Sequence, residues 1–102
     1  KEAERILAAI PKQYYLVALC VEGRSLTSEQ LADTLARAEQ SGHPGAAFVI
    51  GSSYGLSDRV KSAAQLKLSL SALTLPHKLA RLVLAEAVYR AGEIQKGSRY
   101  HK

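Results

Sequence analysis

The 102-residue chain contains one cysteine, Cys20, and no methionine. A single cysteine excludes an intrachain disulfide and any zinc site built on cysteines. Two aspartates and three scattered histidines give no metal-ligand spacing, so no metal is expected. No apolar run approaches the roughly 20 residues that a membrane-spanning helix needs. The opening KEAERI is charged throughout and unlike a signal peptide. These absences point to a reducing cytoplasm and to no membrane partner. With no methionine even at position 1, the chain is expected to begin inside a longer gene product. Internal repeats, low-complexity stretches, a Ser-His-Asp arrangement and paired carboxylates are also missing.

What remains is an ordinary globular composition, 47% hydrophobic and 23% charged. The length suits one domain that buries roughly two-thirds of the surface its unfolded form exposes. The net charge of +5 is unevenly placed. Residues 1–58 hold five basic and seven acidic side chains, whereas residues 59–102 hold nine basic and two acidic. A basic half on a small domain points to an anionic partner such as nucleic acid, or simply to a solvated surface.

Helical and strand patterns alternate along the chain, which indicates an α/β domain with a mainly parallel sheet and flanking helices. Residues 1–10 have helical spacing and stop at Pro11. Tyr14 to Val21 is a continuous apolar run, read as a strand buried on both faces, with a turn at Glu22-Gly23-Arg24. Thr27 or Ser28 caps a helix carrying Leu31, Leu35 and Ala38 on one face, and Gly42 ends it. Ala46 to Ile50 reads as a second buried strand, and Ser57-Asp58 as the start of a short helix to Ala64. Leu66 to Ser71 alternates as a strand with one polar face. Leu79 to Ile94 is the longest helix, apolar over most of its circumference, and a second copy of the chain is a natural cover for it. Three strands make a thin sheet, so further strands are expected from a missing segment or a partner.

Several segments carry more than one reading. The loop Ile50-Gly51-Ser52-Ser53-Tyr54-Gly55 follows a strand where ligands bind in open α/β sheets, but it is neither GxGxxG nor a P-loop. It is a ligand loop or a plain turn. Leu70-Ser71-Ala72-Leu73-Thr74-Leu75-Pro76-His77 is apolar without a clean period. Its peptide groups need partners, and either a purine-like ligand or a packed crossover supplies them. His77 is a candidate general base or a capping residue. Arg81 and Arg90 on a largely apolar helix need an anion or a route to solvent, and Glu86 pairs with Arg90 at i,i+4. Arg99, Tyr100, His101 and Lys102 combine charge and stacking, as an RNA contact or as a loose end. Cys20, within an apolar strand, reads as an inert core residue.

From Leu70 to Ala91 the run LSALTLPHKLARLVLAEAVYRA resembles the ribosomal RNA large subunit methyltransferase H family of SPOUT methyltransferases. KEAERIL, LVALCVEGR, FVIGSSYGLS and the terminal Tyr100-His101 match in the same order, so the resemblance covers essentially the whole chain. It implies a parallel α/β sheet with a C-terminal trefoil knot, a homodimer formed through the long C-terminal helix, and S-adenosylmethionine as cofactor. It implies methylation of N3 of a pseudouridine in large-subunit (23S) ribosomal RNA. Carried over by motif, the cofactor contacts are Leu19, Gly51, Leu70, Ser71, Ala72, Leu73, Thr74 and Leu75. Arg90, Tyr100 and His101 take the substrate side, and either His101 or water removes the N3 proton.

Two departures accompany the resemblance. The family reads Ile-Gly-Gly where this chain has Ile50-Gly51-Ser52, which bears on close approach of the cofactor. Family members are also about half as long again, with an N-terminal strand-helix-strand segment that has no counterpart here. The expectation is therefore a single shortened SPOUT domain over residues 1–102 that binds the cofactor and the ribosome. The alternatives are a non-catalytic dimeric RNA-binding remnant and a plain basic nucleic-acid binder, whose affinity falls steeply with salt.

Overall fold

Leu16, Val17, Ala18 and Leu19 are consecutive apolar residues, each at most 8% exposed. A strand hidden on both faces belongs at the centre of a parallel sheet, and these residues sit there. The computed structural model describes residues 2–51 and 56–97. Its elements run α1 (Glu2–Ala9), β1 (Tyr15–Ser25), α2 (Ser28–Gln40), β2 (Ala46–Ile50), α3 (Asp58–Ala63), β3 (Leu66–Ser69) and α4 (His77–Gln95). The strand order is β2-β1-β3, with β1 parallel to both neighbours. Val17 stands opposite Phe48 on one side and Leu66 on the other.

Helices cover both faces. Val17 and Leu19 share a core with Leu31 and Ala32 of α2 and Ala91 of α4. Gln95 Nε2 donates to the Ala32 carbonyl at 2.7 Å and ties the end of α4 to α2. By the strand period Leu16 and Ala18 face the other way, and α3 packs against β1 with Val60 1% exposed. Arg59 Nε donates to Glu4 Oε2 at 3.0 Å and joins α3 to α1. Gln65 binds both backbone groups of Leu16: its Oε1 accepts from the Leu16 N–H at 2.7 Å, and its own N–H donates to the Leu16 carbonyl at 2.9 Å.

The local signals are where the sequence puts them. Thr27 caps α2 in a reciprocal box: its Oγ1 accepts from the Gln30 N–H at 3.0 Å, and Gln30 Oε1 accepts from the Thr27 N–H at 2.9 Å. Gly42 follows α2 at φ +99°, a left-handed conformation that favours glycine. The Ser57 hydroxyl caps α3.

Four expectations need correction. β1 does not turn at Glu22–Arg24 but continues to Ser25, with a register shift that puts Leu68 opposite both Leu19 and Arg24. Gly23 makes this possible, since a Cβ there would lie 2.7 Å from the Lys67 carbonyl carbon and oxygen. β2 is not a buried strand: all five of its residues are half-buried, whereas β3, at the other edge of the sheet, buries Leu66, Leu68 and Ser69. β3 stops at Ser69 rather than Ser71, and α4 starts at His77. Within the single chain α4 buries only Ala80 and Ala91 among its described residues, and leaves Leu79, Leu82 and Tyr89 at 42%, 67% and 54% exposure.

Candidate functional site

In a parallel sheet every strand ends on the same side, and the loops leaving those ends form a crevice. Here Leu19 to Glu22 of β1, the end of β2, Lys61 on the last turn of α3 and the run after β3 line a cavity of about 350 Å³. Seven residues singled out from the sequence line it: Leu19, Gly51, Leu70, Ser71, Leu73, Thr74 and Leu75. Ala72 is exposed and is not among the lining residues. Ser52, the departure from the family loop, lies outside the described residues.

The run from Leu70 to Pro76 is irregular, as its mixed periodicity implies. Its serines organise it. Ser69 Oγ donates to the Ser71 carbonyl at 3.0 Å, and the Leu73 N–H donates to Ser71 Oγ at 3.0 Å. The peptide groups of Thr74 and Leu75 make no hydrogen bond with another described residue. They border the cavity and are available to a ligand's edge. Leu73 is 75% exposed at the rim.

The wall also holds residues that sequence reasoning passed over. Cys20, Val21 and Glu22 follow Leu19 directly on β1, and Lys61 comes from α3. Cys20 is half-buried on this wall rather than deep in the core. Burial, then the neighbouring Glu22 charge, pushes its thiol up from the usual range, which makes it a poor nucleophile at neutral pH. Lys61 Nζ donates to Glu22 Oε2. That hydrogen bond holds the Glu22 carboxyl below the usual carboxylate range and raises the Lys61 ammonium above its own. The adjacency of Glu22 to Leu19 was a usable signal; the pairing with Lys61, 39 positions away, was not.

Other candidates lie elsewhere. Arg90 forms a fork with Glu86, Nη2 to Oε2 at 2.8 Å and Nε to Oε1 at 3.4 Å. It stands ten residues beyond Ala80, about 15 Å along α4 from the cavity wall. His77 and Arg81 are exposed on the first turns of α4 and do not line the cavity. Arg99, Tyr100, His101 and Lys102 lie outside the described residues. Among the described residues no group of three or more His, Cys, Asp or Glu is placed to hold a metal, and no helix is long and apolar enough to cross a membrane.

The cavity fits a small, largely apolar ligand with a polar end: its volume lies within the usual range for such sites, about 300–1,000 Å³. Leucines and Ile50 can enclose a ring, free peptide groups can meet its edge, and one ion pair offers both signs of charge. Residues 1–101 match the family described as Predicted SPOUT methyltransferase. The chain is similar to the Ribosomal RNA large subunit methyltransferase H of Bacillus pumilus, 51% identical over all 102 residues and 64% of that protein. Proteins of the same name from Streptococcus thermophilus and Streptococcus equi subsp. zooepidemicus are each 48% identical, over all of this chain and 64% of theirs. The chain thus spans just under two thirds of the length of these relatives.

Proposed function

The chain belongs to the SPOUT methyltransferase family, and from that premise we propose that it binds S-adenosylmethionine in the cavity lined by Leu19 to Glu22 of β1, the end of β2 and the run after β3. The reaction it serves is methylation of N3 of a pseudouridine in large-subunit (23S) ribosomal RNA, in the cytoplasm. The observation that carries this reading is the convergence of Leu19, Gly51, Leu70, Ser71, Leu73, Thr74 and Leu75 on one cavity, in a chain whose relatives are named for ribosomal RNA methylation. When bound, the cofactor supplies a methyl group activated by a positive sulfonium. Leu19, Ile50, Leu70 and Leu75 enclose the adenine and exclude water, while the peptide groups of Thr74 and Leu75 meet its polar edge. Holding the two reactants in line supplies much of the acceleration. His101, or water, takes the N3 proton; Tyr100 and Arg90 hold the RNA.

The run from Leu70 to Pro76 is assigned to the trefoil knot. Residues 1–102 act as one domain, and a strand-helix-strand segment of the kind the longer relatives have room for would pair with an edge strand, β2 or β3. Two copies pair through α4, whose Leu79, Leu82 and Tyr89 are exposed around the small Ala85. In that dimer Arg90, about 15 Å along α4 from its own cavity, serves the site of the second copy. Leu82→Glu is expected to convert the dimer to monomer in sedimentation velocity; a dimer unchanged by it would remove α4 from the interface.

The test begins with isothermal titration of S-adenosylmethionine into the folded chain. Saturable binding is expected, followed by methyl transfer to ribosomes lacking the modification, located by mass spectrometry on a single pseudouridine. A folded chain that binds no S-adenosylmethionine overturns the reading. Binding of RNA alone, by a dimer without cofactor affinity, establishes instead the non-catalytic remnant that the open β2 edge also favours.

A further inference from the structure

Of the described residues that line the cavity, two are charged, Glu22 and Lys61, and their signs are opposite. They arrive from different elements. Glu22 lies in the register shift of β1 that the close approach of Gly23 to β3 allows, and Lys61 stands on the last turn of α3. Their side chains are 59% and 22% exposed, so water reaches the pair from one side. An ion pair in such a place contributes little to folding stability. Its place on an otherwise apolar and neutral wall asks for another explanation.

The ligand proposed above has two chemically distinct ends. The adenosine end is served by the leucines and by the peptide groups of Thr74 and Leu75. The other end is an α-amino acid, a carboxylate and an ammonium held on one carbon, and nothing in the run from Leu70 to Leu75 carries charge to meet it. We propose that Glu22 and Lys61 form the subsite for this zwitterion, with Glu22 accepting from the ligand ammonium and Lys61 donating to the ligand carboxylate. This rests on the reading of the cavity as the cofactor site. The four charges then alternate around a ring. Neither protein group loses its existing partner, so no charge is left uncompensated when water is displaced. The Lys61 hydrogen bond keeps Glu22 ionised and Glu22 keeps Lys61 protonated, so the subsite is preset in the form the zwitterion requires. Charge-assisted hydrogen bonds of this kind are the stronger ones.

Two probes isolate the amino-acid end. S-adenosylhomocysteine and 5′-methylthioadenosine share the adenosine and the sulfur, and only the first carries the zwitterion. Titration into the folded 102-residue chain is expected to show a preference for S-adenosylhomocysteine of about tenfold or more, the size of one or two charge-assisted hydrogen bonds. In Glu22→Gln and in Lys61→Met that preference shrinks to about threefold or less, while methylthioadenosine keeps its affinity within about twofold. Lys61→Arg, which keeps the charge, retains most of the preference. Equal weakening of both probes in the variants would mean that the pair only shapes the wall, and overturns the proposal. So does a wild-type chain without preference, or a preference that survives both substitutions. If neither probe binds the folded wild-type chain, the cofactor reading itself fails, and the subsite falls with it.

Discussion

The two halves of β1 behave as if they belonged to different proteins. From Leu16 to Leu19 every residue is buried, and Val17 to Leu19 are paired on both sides in unbroken register. From Cys20 onward the same strand is half-buried or exposed, shifts register against β3, and lends Cys20, Val21 and Glu22 to a cavity wall. The first half is covered by α2 and α4 on one face and by α3 on the other. The second half meets α3 through Lys61, which donates to Glu22, and otherwise opens onto the cavity. A parallel sheet leaves one end open where its loops emerge, and in open α/β sheets that end is where ligands bind. Core and cavity wall are therefore divided along one strand, with Leu19 at the junction as both a core residue and a lining residue.

That division is open to attack from both sides. The largest effect is expected from Leu16→Ala, which removes a side chain only 5% exposed and should destabilise the fold by about 2–5 kcal/mol. Urea unfolding measures it, and a loss under about 1 kcal/mol would mean that the first half is not the anchor. Gly23→Ala comes next. Its Cβ would meet the Lys67 carbonyl at 2.7 Å and the Leu68 nitrogen at 2.8 Å, so β1 and β3 must part. A loss of about 1–3 kcal/mol is expected, together with weaker S-adenosylmethionine binding, because the wall around Glu22 moves with the backbone. Should stability fall and binding stay intact, the two halves are less coupled at the register shift than the geometry implies.

Leu73→Ala tests the open end alone. The side chain is 75% exposed, so stability should change by less than about 0.5 kcal/mol while S-adenosylmethionine affinity drops several-fold. A pure stability effect would place Leu73 with the core instead. The smallest effect concerns pH. Glu22 ionises more readily folded than unfolded because Lys61 donates to it. Its contribution is present above the ordinary carboxylate range and is lost as pH falls through the lower folded value. Lys61 is shifted upward, so its share is present below the ordinary lysine range and disappears as pH rises through the raised value. Wild type and Glu22→Gln should therefore differ slightly in melting temperature near neutrality and converge in acid. A gap that widens in acid would contradict the pairing.

Much of this molecule follows from residues close together in the chain. The core of β1 was legible from an unbroken apolar run, α2 from Thr27 and Gly42, and α3 from Ser57, because periodicity and caps act within one or two turns. The irregular run from Leu70 was recognisable by its lack of period and by its resemblance to a family. The edge position of β2 was not legible: Ala-Ala-Phe-Val-Ile looks alike at the edge or the centre of a sheet, and only pairing distinguishes them. The continuation of β1 past Glu22 was hidden for a related reason. A glycine in a strand and a glycine in a turn read the same until the neighbouring backbone of Lys67 is in place.

By itself the sequence determined the element order, the buried half of the central strand and seven of the residues that line the cavity, since these depend on local apolar pattern and motif. Only the tertiary structure decided that β2 is left at an edge and that α4 turns Leu82 and Tyr89 to solvent. It also decided that Glu22 meets Lys61 across 39 positions on the cavity wall. Each is a contact, or a missing one, between segments far apart in the chain, and no local propensity encodes which distant surface a side chain will meet.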